Sequence, residues 1–264
     1  MGGRLALRGI AIGYLGLLLA LPVGLVFYRA FEDGFSAFWN AVTTPEAMHA
    51  FWLTCVMVLV SVPLNTLFGV LCALVLVRQE FRGKAALNAA IDLPFAVSPV
   101  VIGLALILVY GREGWIGDWL SENGIRVIFS PVGMVLATIF VSLPFVVREV
   151  VPVLREIGTQ QEQAAATLGA SPLQTFLRIT LPAIRWGVAY GVVLTTARAL
   201  GEFGAISVVS GKLSGRTETL TLFVENRFER FDLTGAYAAS VVLALLALAT
   251  LLSMNLLRPK EKKA

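Results

Sequence analysis

Long apolar runs separated by short polar breaks organise this chain. Six of them, residues 9–28, 51–77, 85–110, 131–147, 184–210 and 237–257, read as membrane spans, since a hydrocarbon core of about 30 Å takes about 17–25 helical residues. The first run exceeds the apolar core of a secretory signal and no small-x-small cleavage site follows it, so it reads as a retained anchor. Ala6 stands where an N-myristoylation signal needs Ser or Thr. Residues 29–50, with Glu32, Asp33 and Glu46, read as an outer loop. Residues 111–130 read as a second one, in which Trp115 and Trp119 predict a short surface helix. Trp39 and Trp52 suit the aromatic belt of a membrane boundary. In the third run Asp92-Leu93-Pro94 is followed by Pro99, so that helix is expected to kink or unwind and to leave carbonyls needing partners.

One segment departs from this pattern. Residues 159–182, TQQEQAAATLGASPLQTFLRITLP, form the single long polar-interrupted stretch, and their end signals predict two short helices. Thr159 and Glu162 have the spacing of a capping box, and Gly169 stands where a finished helix takes a glycine. Ser171, Pro172 and Gln174 start a second helix, which Pro182 is expected to close. Leu173, Phe176 and Leu177 share one face of it. Ala164, Ala165 and Ala166 on the first helix leave room for another backbone. Such a pair docks on its own protein by one side and offers the other to a partner; the plain alternative is an ordinary hairpin between two spans.

Composition excludes a soluble enzyme: 57% of residues are hydrophobic, 14% are charged, and the mean hydropathy is +0.81. With both termini inside, thirteen Lys and Arg fall on the cytoplasmic side, seven outside, and Arg198 remains in the fifth run. The inner set includes Arg4, Arg8, Arg78, Arg82, Lys84, Arg148, Arg155, Arg178, Arg185 and the four cations of the tail 258–264. This excess places the 159–182 hairpin in the cytoplasm. The tail is too short for nucleic-acid binding and reads as a topology signal facing anionic lipid. Cys55 and Cys72 lie far apart on one helix and cannot bridge. His49, at the start of a run, reads as interfacial and not as a ligand. No Gly-x-x-x-x-Gly-Lys-Ser/Thr loop is present, since Gly83-Lys84 and Gly211-Lys212 lack its other residues. With no Cys/His cluster and no nucleophile–base pair either, the chain reads as a non-catalytic subunit that binds no cofactor, any ATP being hydrolysed by another polypeptide.

The densest chemistry lies in the fifth run, Thr195-Thr196-Ala-Arg198-Ala-Leu-Gly201-Glu202-Phe-Gly204. Arg198 and Glu202 are four apart and share a helix face, although Arg before Glu is the weaker order. Gly201 and Gly204 permit close helix approach, and the threonines supply hydroxyls. Two readings stand: Arg198 meets an anionic substrate while Glu202 holds its guanidinium, or the pair only latches helices together. Asp92 is likewise either a pathway residue or a carboxylate tied to nearby backbone that shapes the kink.

The spacing Gln163-Ala164-Ala165, Gly169, then Ile179, Leu181 and Pro182 resembles the EAA loop of the membrane subunits of ATP-binding-cassette importers. One position departs: Gln163 stands where the family usually has Glu, and Glu162 lies one residue earlier. The stretches 92–99, 180–187 and 198–211 further resemble CysW-type permease subunits of bacterial sulfate/thiosulfate importers, and the likeness runs along nearly the whole chain. It implies an all-α, polytopic inner-membrane protein of six transmembrane helices with the type I importer permease fold. Residues 1–50 would then be an anchor helix and first periplasmic loop, 51–257 the permease core, and 258–264 a cytoplasmic tail. It also implies, as partners, a CysT-type permease in a heterodimer, a CysA-type ATPase dimer seated on Glu162–Ala165, Gly169, Ile179, Leu181 and Pro182, and a periplasmic sulfate-binding protein. Sulfate or thiosulfate would pass Asp92, Thr195, Thr196, Arg198 and Glu202. Molybdate and tungstate permeases share the loop and layout, and a proton-coupled carrier relaying through Asp92 or Glu202 is the competing class.

Overall fold

The computed structural model describes residues 2–257, with side chains from Leu7 to Ser253. Arg4, Ala6 and the basic tail 258–264, all used in the readings above, have side chains outside the described residues. Among the described residues the chain is helical throughout. Five helices are long and apolar enough to cross a membrane, or six if one bent pair counts as a span, in agreement with the six apolar runs.

α1 (Gly2–Leu15) continues through a π turn at Gly16–Ala20 into α2 (Leu21–Phe31). The widened turn accommodates Pro22, which has no N–H to give to the turn before it. Residues 29–50 are not the loop that their polar residues suggest. Gly34, at φ +88°, turns the chain into α3 (Phe35–Val42), and α4 (Pro45–Arg78) starts three residues later. The aromatic residues of this segment decide its structure. Phe38 stacks on Phe31 with centroids 4.5 Å apart and is buried with Ala30, Ala238 and Val241.

The third run breaks into α5 (Lys84–Ala96) and α6 (Pro99–Tyr110), bent by 115°. The break falls at Val97–Ser98 and not at Pro94, which stays inside α5. Pro99 disfavours helical geometry at the residue before it, and Val97 and Ser98 both have ψ 135°. The short α7 (Gly117–Glu122) contains Trp119 but leaves Trp115 ahead of it. α8 (Pro131–Ile157) runs well beyond Val147, carrying Arg148 and Arg155 within it.

The hairpin consists of α9 (Gln160–Thr167) and α10 (Pro172–Thr175). A π turn at Phe176–Thr180 then leads into α11 (Leu181–Leu200). Pro182 therefore does not close the segment: it sits in the first turn of α11, inside one continuous helical stretch Pro172–Leu200. The π turn just before it absorbs the missing N–H and the bulk of the ring. The fifth run ends earlier than its apolarity suggests, at Gly201, and is followed by α12 (Gly204–Val209), α13 (Leu220–Glu229) and α14 (Leu233–Leu257).

The chain divides into two compact units. One comprises the residues up to Leu53 with Ser214–Leu245. Ala47, Ala50, Leu220, Phe223 and Ala239 form a buried cluster in it, and Arg227 pairs with Asp232 at 3.2 Å and lies 4.0 Å from Glu46. The other comprises Thr54–Leu213 with the chain from Leu246 onward. Its core joins Val70, Ala73 and Leu76 of α4, Ile91 of α5, Val146 to Leu154 of α8 and Ile184 of α11. Small residues set the helix spacing there. A Cβ at Gly69 would lie 2.6 Å from Val146 Cβ, and one at Gly191 would lie 2.9 Å from Val146 Cα, so Val146 is wedged between two glycines. Asn65, fully buried, ties α4 to α8 through Ser142 Oγ at 2.8 Å and the Ile139 carbonyl at 3.2 Å. Cys55 and Cys72 are free thiols.

Candidate functional site

The hairpin is fixed from beneath by Arg78, the last residue of α4. Its guanidinium donates to the carbonyls of Leu154 at 3.1 Å and Gly158 at 2.7 Å. It also pairs with Glu162, Nε to Oε2 at 2.9 Å and Nη2 to Oε1 at 3.1 Å. Thr180 Oγ donates to the same Glu162 oxygen at 2.8 Å. Glu162 therefore does not form the capping box with Thr159 that its spacing suggests: Thr159 makes no side-chain cap. A guanidinium within reach is a stronger partner for a carboxylate than a backbone amide at an exposed helix start. Gln163, in the position where the family usually has Glu, is exposed and reaches only Thr159 Oγ at 3.3 Å.

The rest of the hairpin follows its end signals. Gly169, at φ +83°, donates to Ala166 O, and Ala170 donates to Ala165 O, which together satisfy the open carbonyls of α9. Ser171 and Gln174 form a complete capping box. Ala165 is buried and Ala164 exposed. Phe176 and Leu181 turn inward onto the α4–α8–α11 core, and Ile179 is half-buried. Leu168, Leu173 and Leu177 remain 88%, 66% and 51% exposed. The apolar face of the second helix is thus split, one side chain going to the protein and two to the outside.

At the other end of α11, Arg198 Nη1 lies 2.6 Å from Glu202 Oε2, and Glu202 Oε1 accepts the Ala205 N–H at 2.9 Å. The Glu202 side chain is 1% exposed. It bridges the break between α11 and α12, holding a cation on one side and a free helix-start amide on the other. The α11–α12 break lies against the α5–α6 break: a Cβ at Gly204 would lie 2.9 Å from Pro99 Cβ, and one at Gly103 would lie 2.9 Å from Ala205 O. Gly201 is not a close-approach residue, its nearest neighbour being Ala197 O at 3.7 Å. Thr196 Oγ donates to Val192 O at 2.8 Å, while Thr195 Oγ is buried without a partner.

Asp92 is not tied to backbone. It accepts Nε of Arg148 at 2.7 Å and a second, very short bond from Nη2, and Asn88 Oδ1 accepts from Nη2 at 3.2 Å.

Residues 65–263 match the family model described as binding-protein-dependent transport system inner membrane component. The chain belongs to that family. It is 52% identical over 96% of its length to the sulfate transport system permease protein CysW of Synechocystis sp., covering 92% of that protein. Against the protein of the same name from Escherichia coli K12 it is 45% identical over 99% of its length and 91% of the relative's. The fold matches a chain of a bacterial ABC transporter involved in the import of the acidic polysaccharide alginate, with a TM-score of 0.81 at 19% identity, covering 98% of this chain and 96% of that one. The same fold recurs, at a TM-score of 0.74 and 18% identity, in an alginate transporter complexed with a pentasaccharide-bound periplasmic protein, covering 99% and 95% of the two chains. This permease therefore has the ABC importer fold.

Sequence reasoning missed Arg78, Thr180, Asn88 and Arg148. Arg78 and Arg148 stand in the inner set of topology cations, yet both lie in helices. For Arg148 a signal existed: the apolar spacing Val146, Val147, Val150, Val151, Leu154 continues past it at helical period, so the charge sits inside a span.

Proposed function

We propose that this permease carries sulfate or thiosulfate inward across the bacterial inner membrane, driven by a separate ATPase that docks on the 159–182 hairpin. The observation that carries this reading is the outward triplet Leu168, Leu173 and Leu177, held on a hairpin that Arg78 and Glu162 fasten to α4 and α8. An exposed apolar patch on a rigid mount is what a groove in a partner takes up. The near-full-length likeness to CysW proteins supports the substrate class. Both termini then lie in the cytoplasm, a CysT-type permease completes a heterodimer, a CysA-type ATPase dimer seats on the hairpins, and a periplasmic sulfate-binding protein docks outside. Thr195, Thr196, Arg198, Glu202 and Asp92 are the pathway residues. Inside the pathway the anion is held weakly, so that release is not opposed, and rocking of the two permease bundles alternates access.

The test is sulfate accumulation by sealed vesicles containing the complete complex and binding protein. Accumulation that needs internal ATP and survives collapse of the proton gradient is expected. Accumulation that follows the proton gradient without ATP overturns the proposal.

A further inference from the structure

Arg198 is not the only guanidinium held by a carboxylate within the spans. Arg148 lies inside α8, between Val147 and Glu149, and Asp92 inside α5, between Ile91 and Leu93, and their side chains are 35% and 41% exposed. A charge at such a position costs about 2.5–3.5 kcal/mol in lipid, so the pair faces water or another subunit. Asp92 occupies Nε and Nη2 of the guanidinium, and Asn88 shares Nη2. Nη1 has no partner among the described residues. One edge of the guanidinium is thus left open while the other is covered by a carboxylate.

The two pairs also differ in level. α8 and α11 cross where Gly191 meets Val146. Arg198 lies seven residues beyond Gly191, away from the hairpin, and Arg148 lies two residues beyond Val146, towards it. At 1.5 Å per residue the two Cα atoms stand about 13.5 Å apart along the helix axes. Along the proposed inward direction, the level of Arg198 comes before that of Arg148.

We infer that Arg148 is a second oxyanion station, on the hairpin side of Arg198, with Asp92 as an exchangeable cover. The inference rests on the proposed direction and substrate class. A tetrahedral dianion meets the open Nη1 edge, then takes the fork from the Asp92 carboxylate, because the planar guanidinium suits both kinds of oxygen pair. Return of Asp92 expels it. A lone cation would hold the dianion, whereas a paired one exchanges it.

The experiment uses the purified complete complex and radiolabelled sulfate. In the absence of binding protein, Asp92→Asn is expected to raise equilibrium sulfate binding about tenfold by uncovering Arg148. Adding Arg148→Gln to it should abolish that gain. In vesicles the neutral pair Asp92→Asn/Arg148→Gln, which can still hydrogen-bond between α5 and α8, should transport sulfate at least about tenfold more slowly with assembly intact. A neutral pair that transports at the wild-type rate, or an Asp92→Asn complex with unchanged sulfate binding, overturns the station and leaves only a latch. Should the double variant fail to assemble, Arg148→Lys decides: it keeps the charge but not the fork, and wild-type transport by it overturns the proposal. A wild-type complex that accumulates no sulfate with ATP marks failure of the substrate reading instead.

Discussion

Arg78 and Glu162 meet through an ion pair at 2.9 Å and a hydrogen bond of 3.1 Å, so the last residue of α4 and the first turn of α9 are held as one piece. The pair is 16% and 21% exposed, shielded enough for its loss to matter. Glu162→Ala should cost about 2–3 kcal/mol of local stability, the worth of charge-assisted bonds. Gln163→Ala should cost little. Limited proteolysis of the hairpin and copurification of the ATPase check both, and equal effects of the two variants would show that Glu162 is not the anchor.

Gly169 has φ +83° and no atom within 4 Å of an added Cβ. The cost of replacing it is therefore conformational, about 1–2 kcal/mol for an L-residue in the left-handed region. Asn, which tolerates that region, should retain ATP-dependent uptake better than Val at the same position. Uptake by the Val variant equal to that of Asn would mean that this turn does not set the hairpin.

The wedge at Val146 predicts a contrast between Gly191, inside α11, and Gly201, which caps its end. Gly191→Ala would press a methyl against the α8 backbone at 2.9 Å and should destabilise by about 1–3 kcal/mol. Gly201→Ala meets nothing closer than 3.7 Å and should change stability by less than about 1 kcal/mol. Thermal unfolding of the detergent-solubilised complex reads the difference.

Glu202→Ala removes the partner of Arg198 and leaves the Ala205 N–H without its acceptor. Breaking such a buried pair costs about 3–5 kcal/mol. Glu202→Gln keeps the bond to Ala205 and should retain assembly while losing part of the uptake. If Glu202→Ala assembles and transports normally, the α11–α12 break is held by something else.

The spans were legible because membrane helices announce themselves by uninterrupted apolarity, and the hairpin because Gly169, Ser171 and Gln174 carry specific end chemistry. What escaped was decided by contacts distant in sequence. Residues 29–50 looked polar, yet Phe31 and Phe38 had a core waiting near Ala238 and Val241. Thr159 and Glu162 had the right spacing for a cap, but Arg78, 84 residues away, outcompeted it. Arg148 looks like the boundary of the fourth run because its counter-charge, Asp92, lies on another helix. Pro182 looks like a stop because a proline normally is one; the π turn that spares it has no local signature here.

That spared proline has a mechanical consequence. The stretch Pro172–Leu200 is 29 residues of unbroken helix, a rod of about 43 Å at 1.5 Å per residue. It begins among the outward leucines and ends at the Arg198–Glu202 clasp. A thrust delivered at the near end has only the π turn at Phe176–Thr180 in which to dissipate, so most of its travel reaches the far end as displacement, in the manner of a piston rod and not of a spring.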